Sequence, residues 1–522
     1  MNPAARPLFA GAGHPAVLSR RMKDAATTFT VLGAAAAIAI AIAVSVPEKD
    51  FALALVGIVM VLFIVWLIRT PRLELAVGAV VFFLGCINGP LKLIANAGAL
   101  SSGIQDVLVL AVVIGLVART FAKRAPLKLP PLFGWFLAFV LLVLLEAFNP
   151  YTGGFLKALG GYRQQLQWVP FFFFGYLLIR SPQRFRRMYW LLGVIALLNS
   201  FASTSQTQLT PGEVASLGSG YAYRVQGPSG RTYNAEGEAH VRPLGLGSDS
   251  GFSAGIGVIA LPGCLALVAT VKRRRERWAA LILALGALAG IITGLGRLQV
   301  GGSVFTLFAF VGFAMLAKRR VSKPILALVL TAALAAPAGL VFVEAVGSNI
   351  FSRYTSIAGP EKFANAATSY KLSGLLAIPK YVAAEPFGFG LGTAGAVSGF
   401  GGASKELFEG HNITSDTQYN LLVKELGILG LLIWTAFLIR LIVLAARRLR
   451  YIVDPEAQIF LIALCSPLVA YLFMAVDGPV TVGVAGGTYY WFAAGVCAYW
   501  FLGAGRFYAS RASPEPGTLV PA

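Results

Sequence analysis

The segment Glu409–Ala446, EGHNITSDTQYNLLVKELGILGLLIWTAFLIRLIVLAA, sets polar and charged residues directly against a long apolar run. His411, Asp416, Lys424 and Glu425 precede Leu426–Ala446, which is long enough to cross a bilayer as a helix; that takes roughly 20 residues. A charge at the mouth of a membrane helix costs free energy unless it is paired, hydrated or used. An apolar span with a polar rim is therefore the unit from which the chain is read.

Similar spans recur from Thr27–Val46 to Thr488–Ala504. Of the 522 residues 57% are hydrophobic and only 12% charged, with a mean hydropathy of +0.75. Soluble domains carry about 25% charged residues, so lipid is the main solvent here. The pattern predicts an all-α polytopic membrane protein with about fourteen transmembrane helices. The range is 12–14, because Leu73–Ile87, Ile104–Ala118, Leu166–Ile179 and Met188–Phe201 are short.

Charge supports that count. With both termini placed in the cytoplasm, most of the 43 Lys and Arg and few of the 22 acidic residues fall in alternate connections. Lys272–Arg277 and Lys318–Lys323 are examples. This is the positive-inside pattern, so the net charge of +21 reports topology. A nucleic-acid partner is excluded, since no soluble basic domain stands apart from the spans. The predicted organisation is a cytoplasmic tail (1–26), helices one to seven (27–203), an outer loop (204–250) and helices eight to eleven (251–346). A larger outer loop with short helices (347–425), the last three helices (426–504) and a cytoplasmic tail (505–522) follow. Two of the short helices are expected near Pro360–Leu376 and Ala377–Ala384.

The four cysteines, Cys86, Cys264, Cys465 and Cys497, lie in apolar spans and form neither a disulfide framework nor a metal-binding pair. Arg20, Arg21 and Lys23 before Thr27–Val46 resemble a signal sequence, but no small-residue cleavage site follows, and the run is expected to remain as the first helix. No cofactor or metal is implied.

Three arginines violate the inside bias. Arg163 precedes Gln164-Gln165, Arg242 ends the first outer loop beside Pro243, and Arg297 occupies the turn Gly294-Leu295-Gly296-Arg297. Guanidinium groups bind phosphate oxygens in a bidentate manner and stay charged. The same residues are also placed where side chains snorkel to lipid headgroups. Asp416, with Tyr419 and Asn420 three and four residues on, sits at a helix start capped by Ser415 or Asp416. Its carboxylate serves equally as a plain cap or as a proton acceptor. His411 is a solvated loop residue or a base, and Lys424 and Glu425 pair with each other or bind headgroups or substrate. Gly388-Phe389-Gly390-Leu391-Gly392 lacks the strand and the Lys-Ser/Thr of a nucleotide loop.

The run Asp416–Gly430, with its Glu425-Leu426-Gly427-Ile428-Leu429-Gly430, resembles the carboxy-proximal motif of the O-antigen ligase/polymerase superfamily. Arg242-Pro243-Leu244-Gly245 is similar to that family's Arg-x-x-Gly element, and Gly296-Arg297 to its Ser-Arg-Gly turn. Glu385-Pro386-Phe387-Gly388-Phe389-Gly390 is similar to its Pro-x-x-Gly-x-Gly element, one residue shorter. The resemblance implies a GT-C-like, metal-independent inverting glycosyltransferase in the bacterial inner membrane, with its active site on the periplasmic face. Its donor would be an undecaprenyl-pyrophosphate-linked glycan. Arg163, Arg242 and Arg297 would hold the pyrophosphate, with Tyr419, Lys424 and Glu425 completing the substrate site, and Asp416 or His411 would be the base. Pathway proteins such as a chain-length regulator are the expected partners.

An aspartate at Asp416 resembles the polymerases of surface polysaccharides, while His411-Asn412 matches the ligases' His-Asn pair displaced by five residues. Polymerase is thus the expectation and ligase the alternative. A transporter or lipid-linked oligosaccharide flippase is the third reading, weakened by the scarcity of mid-span charges and of internal repeats.

Overall fold

The computed structural model describes residues 49–94, 98–122, 129–227, 232–235, 238–317, 373–398, 417–476 and 478–503. The expected helices Thr27–Val46 and Ile325–Val346, both tails, His411 and Asp416 lie outside the described residues. Among the described residues eight helices are long and apolar enough to span a membrane, and the protein is a helical, multi-pass membrane protein.

The chain divides into two compact units. The first holds α1 (Lys49–Arg69), the start of α2 (Leu73–Ile94) and most of α3 (Gly98–Ala122). Its core is Leu67, Ala76, Val77, Val80, Leu108 and Val112. Arg119 donates from Nη2 to the Leu67 carbonyl at 3.1 Å, satisfying one of the carbonyls left open at the end of α1.

The second unit holds the remainder. It contains α4 (Phe133–Glu146), α5 (Phe155–Leu166), α6 (Phe171–Leu178), α7 (Pro182–Thr207), α8 (Pro211–Ser216) and α9 (Ser219–Gln226). A hairpin of β1 (Thr232–Ala235) and β2 (Glu238–Val241) precedes α10 (Phe252–Thr270), α11 (Arg274–Thr293) and α12 (Arg297–Leu316). The short α13 (Ile378–Ala384), α14 (Gln418–Arg448), α15 (Pro455–Met474) and α16 (Val484–Cys497) complete it. Most of α10 and α15 is buried, which makes them central, whereas α7 and α11 leave more than half of their length unburied. Between α6 and α16 the backbones nearly touch: a Cβ at Gly175 would lie 2.1 Å from the Phe492 carbonyl oxygen, and one at Gly495 1.9 Å from that of Phe172. Helices in membranes associate through such small-residue contacts.

Several expectations need correction. Leu166–Ile179 is not one helix: α5 and α6 are separated by a turn at Gln167–Pro170. Pro170 has no amide hydrogen and disfavours helical geometry at Val169. The run Met188–Phe201 is the middle of α7, so the connection that follows begins only after Thr207. The chain is also not purely helical, since β1 and β2 pair antiparallel with Tyr233 opposite His240. Ala377–Ala384 matches α13 closely, whereas only the Ser373–Leu376 turn of the other expected short helix is described.

The loop after α7 folds into a small cap on the end of α2. Leu93 packs with Val214, Tyr221, Val225, Val241 and Leu244, and α8 opens with a capping box between Thr210 and Glu213. Within α2, Phe83–Ile87 forms one wide π turn, with the Asn88 amide bonded to the Phe83 carbonyl. The turn frees the Gly85 carbonyl to accept from Asn199 Nδ2 at 2.8 Å.

Candidate functional site

The Glu-x-Gly-x-x-Gly run builds a break. Thr417 caps α14, accepting from the Asn420 amide at 2.9 Å; the cap is thus Thr417 and not Ser415 or Asp416. At Gly427 the backbone has φ 62° and ψ −162° and leaves the helix. Into the gap runs the Gly-rich loop: Phe389 N–H donates to the Lys424 carbonyl at 2.7 Å, and Ile428 N–H to that of Pro386 at 2.9 Å. A Cβ on Gly427 would sit 2.3 Å from the Pro386 oxygen, so glycine is required by both angle and space.

Glu425 lies just before the break with none of its surface exposed. Its carboxylate accepts from Gln164 Nε2 at 3.0 Å, Gln165 Nε2 at 2.6 Å, Gly392 N–H at 3.1 Å and Ala394 N–H at 3.4 Å. A buried carboxylate is tolerated only when so many donors meet it. One residue thereby joins three elements: α5, the Gly388–Ala394 loop and α14. The loop is fixed on its other side as well. Asn149 donates to the Gly388 carbonyl, the Tyr151 hydroxyl to Glu385 at 3.0 Å, and buried Lys157 to the Ser398 carbonyl. Burial pushes the Lys157 ammonium below the ordinary lysine range, and the Glu385 hydrogen bond and charge push the Tyr151 phenol up.

Arg163 continues this strip. Its Nε lies 2.6 Å from Asp106 Oδ2, and Gln167 donates to the same carboxylate. The Arg242 element is held by α7: Gln206 Oε1 accepts from Leu244 N–H at 2.7 Å and Gly245 N–H at 2.9 Å, while Asn199 Oδ1 accepts from Leu246 N–H at 3.0 Å. Arg297 is the first residue of α12, the helix reached through the Gly296 turn. These two elements meet at Gly251, whose N–H bonds the Pro243 carbonyl and whose Cα faces Gln299 on α12. The start of α14 joins the same end, since Gln418 N–H bonds the Ala475 carbonyl beyond α15, and Gly301 and Gly302 of α12 lie against Phe473 and Met474. Tyr419 donates to the Leu472 carbonyl at 3.0 Å.

The sequence-predicted residues thus fall into neighbouring groups. Glu425 and Lys424 sit with the Gly-rich loop, Arg163 with Asp106, and Arg242, Arg297 and Tyr419 at the ends of α10, α12 and α15. Three cations escaped the sequence reading, Lys157 among them. Arg224 of α9 pairs with Asp249 at 3.1 Å, and Lys92 of α2 lies within electrostatic reach of Asp249, Arg224 and Arg163. Their signal was available: they too are basic residues in connections that the sequence reading expects to be poor in basic charge. No cluster of three His, Cys, Asp or Glu suited to a metal occurs among the described residues.

Comparison with known proteins assigns no relative: no protein-family model, curated protein or solved structure matches the chain.

Proposed function

We propose that the protein is a membrane-embedded, metal-independent inverting glycosyltransferase that polymerises undecaprenyl-pyrophosphate-linked repeat units into a surface polysaccharide at the periplasmic face of the bacterial inner membrane. The observation that carries this reading is the Glu425 junction. Two elements that resemble separate motifs of the O-antigen ligase/polymerase superfamily, Glu385–Gly390 and Glu425–Gly430, interlock there. The glutamines beside Arg163 complete the junction.

In this scheme an acceptor hydroxyl oxygen attacks the anomeric carbon as the bond from that carbon to the pyrophosphate oxygen breaks. The bonding pair leaves with polyprenyl pyrophosphate, and the proton passes to Asp416 or His411 as base. Arg163, Arg242 and Arg297 bind the leaving group and stabilise its growing charge. Tyr419 and Lys424 complete the substrate site, whereas Glu425, saturated by protein donors, holds the surrounding elements in place from within. The His411-Asn412 pair supports a second reading as a ligase that moves finished glycan to a lipid or protein acceptor.

The test is Arg297→Ala or Arg242→Ala in a strain whose lipid-linked glycans are analysed. Loss of polymer with inserted protein and accumulation of single repeats supports the polymerase; accumulation of long lipid-linked chains supports the ligase. Normal polymer lengths from both variants reject the polymerase, and normal lengths with no build-up of lipid-linked glycan reject the ligase as well.

A further inference from the structure

Two buried carboxyl groups flank the Gly-rich loop, and the protein treats them oppositely. A carboxylate offers about four acceptor positions, and Glu425 meets four protein donors. Glu146, the last residue of α4, is 6% exposed and meets one: Asn149 Nδ2 lies 2.9 Å from its Oε2. Its Oε1 has no hydrogen-bond partner among the described residues and is not sealed off from the surface. Asn149 cannot serve that oxygen as well. The other hydrogen of its amide goes to the Gly388 carbonyl at 3.1 Å, and its Oδ1 accepts from Tyr151 N–H at 3.0 Å. The turn after α4 is fixed on the loop, since Thr152 donates to the Glu146 carbonyl at 3.1 Å and Gly390 lies against Thr152. Tyr151 sets its ring 6.3 Å from that of Phe389 and stays partly exposed. Leu145 and Phe148, on either side of Glu146 in the chain, are exposed, so the open oxygen borders an apolar rim as well as a polar loop.

We propose that Glu146 is a sugar-binding residue, which accepts a hydrogen bond from a substrate hydroxyl at the edge of the Gly-rich loop. A buried carboxyl with unused acceptor capacity is costly until a donor arrives. A neutral hydroxyl supplies that donor without bringing an ion into a mostly buried place. Tyr151 adds an aromatic surface beside it, apolar enough to pack against the C–H face of a sugar ring. A metal ion is the poorer match, since Glu146 belongs to no group of three His, Cys, Asp or Glu among the described residues. The assignment of the sugar to the acceptor repeat rests on the glycosyltransferase reading; the open oxygen of Glu146 does not.

The test labels the full chain in phosphatidylcholine nanodiscs with dicyclohexylcarbodiimide at mildly acidic pH. This reagent adds to a protonated carboxyl in apolar surroundings: the carboxyl oxygen bonds the carbodiimide carbon and the proton goes to its nitrogen. Peptide mapping should find the adduct on Glu146 and not on Glu425. The methyl glycosides of glucose, galactose and N-acetylglucosamine are then added in turn, and at least one should slow the labelling severalfold. By saturation-transfer NMR, Glu146→Leu should bind that glycoside about tenfold more weakly, the loss of one hydrogen bond. Glu146→Gln, which keeps a hydrogen-bonding terminus of the same shape, should bind it within a few fold. Absence of the Glu146 adduct overturns the proposal, and so does labelling that no glycoside slows; neither result depends on a variant folding. Protection by phosphatidylethanolamine or magnesium alone also overturns it, in favour of a headgroup ammonium or a cation. No turnover enters, so failure here leaves the enzymatic reading to the Arg297→Ala experiment.

Discussion

Replacing Glu425 by alanine removes the acceptor that four donors share. The Gln164 amide retains the Ala394 carbonyl at 3.1 Å, so its loss is partial, while the Gln165 amide and the Gly392 and Ala394 N–H groups lose the carboxylate they meet. A buried donor left unsatisfied costs about 1–3 kcal/mol. Three such groups, relieved in part by a water entering the vacated polar space, give a destabilisation of about 3–5 kcal/mol. Glu425→Gln keeps one acceptor oxygen but points an NH2 at groups that themselves donate, and should cost about 1–3 kcal/mol. Unfolding in mixed micelles measures both, and hydrogen exchange of Gly388–Ala394 should accelerate in the alanine variant before the spanning helices exchange. An alanine variant within about 1 kcal/mol of the parent, with Gly388–Ala394 exchange unchanged, would refute the junction as a structural keystone. Loss of product with stability intact would instead place the carboxylate on substrate.

Gly427→Ala should destabilise by about 2–4 kcal/mol, because it combines a disfavoured backbone angle with a Cβ pressed onto Pro386 and Phe387; a melt indistinguishable from the parent would contradict the break. At the capping box, the Thr210 amide and hydroxyl hold the Glu213 carboxyl below its usual range. That contribution is present above the unfolded glutamate value and lost as pH falls through the lower folded one, so protection at the start of α8, relative to the intrinsic exchange rate at each pH, should fall on acidification in the parent but not in Glu213→Gln.

Much of the architecture was legible because lipid and charge act on sequence directly. Apolar runs located the eight helices long enough to span a membrane among the described residues, of the fourteen expected; the end of α7 was missed because helical continuation through Ala202–Thr207 rests on tertiary contacts such as Gln206 with Gly245, which no hydropathy pattern contains. Pro170 stood in plain sight inside Leu166–Ile179, and only the length of the surrounding apolar run hid its effect. The hairpin was invisible for a different reason: Thr232–Val241 has weak alternation, and its pairing gains from burying Val241 against Leu93, a residue far away in the chain. At the site, residue types announced Arg163, Arg242 and Arg297, but for Glu425 the sequence left pairing with Lys424 and binding of headgroups or substrate open. Its saturation by Gln164, Gln165 and two loop amides depends on a backbone fold at Gly427 that sequence spacing does not encode.

The wide turn at Phe83–Ile87 has a geometrical consequence for the rim. An α-helix advances about 100° per residue, and a π turn accommodates one residue more than the regular winding allows. Everything beyond Ile87 is consequently clocked by that one step, so Asn88 meets Gln105 and Lys92 comes within electrostatic reach of Asp249 only because of it. Excising a single amino acid from the bulge would preserve the length needed to traverse the lipid almost unchanged, yet swing both polar side chains about a quarter of a revolution away from their neighbours.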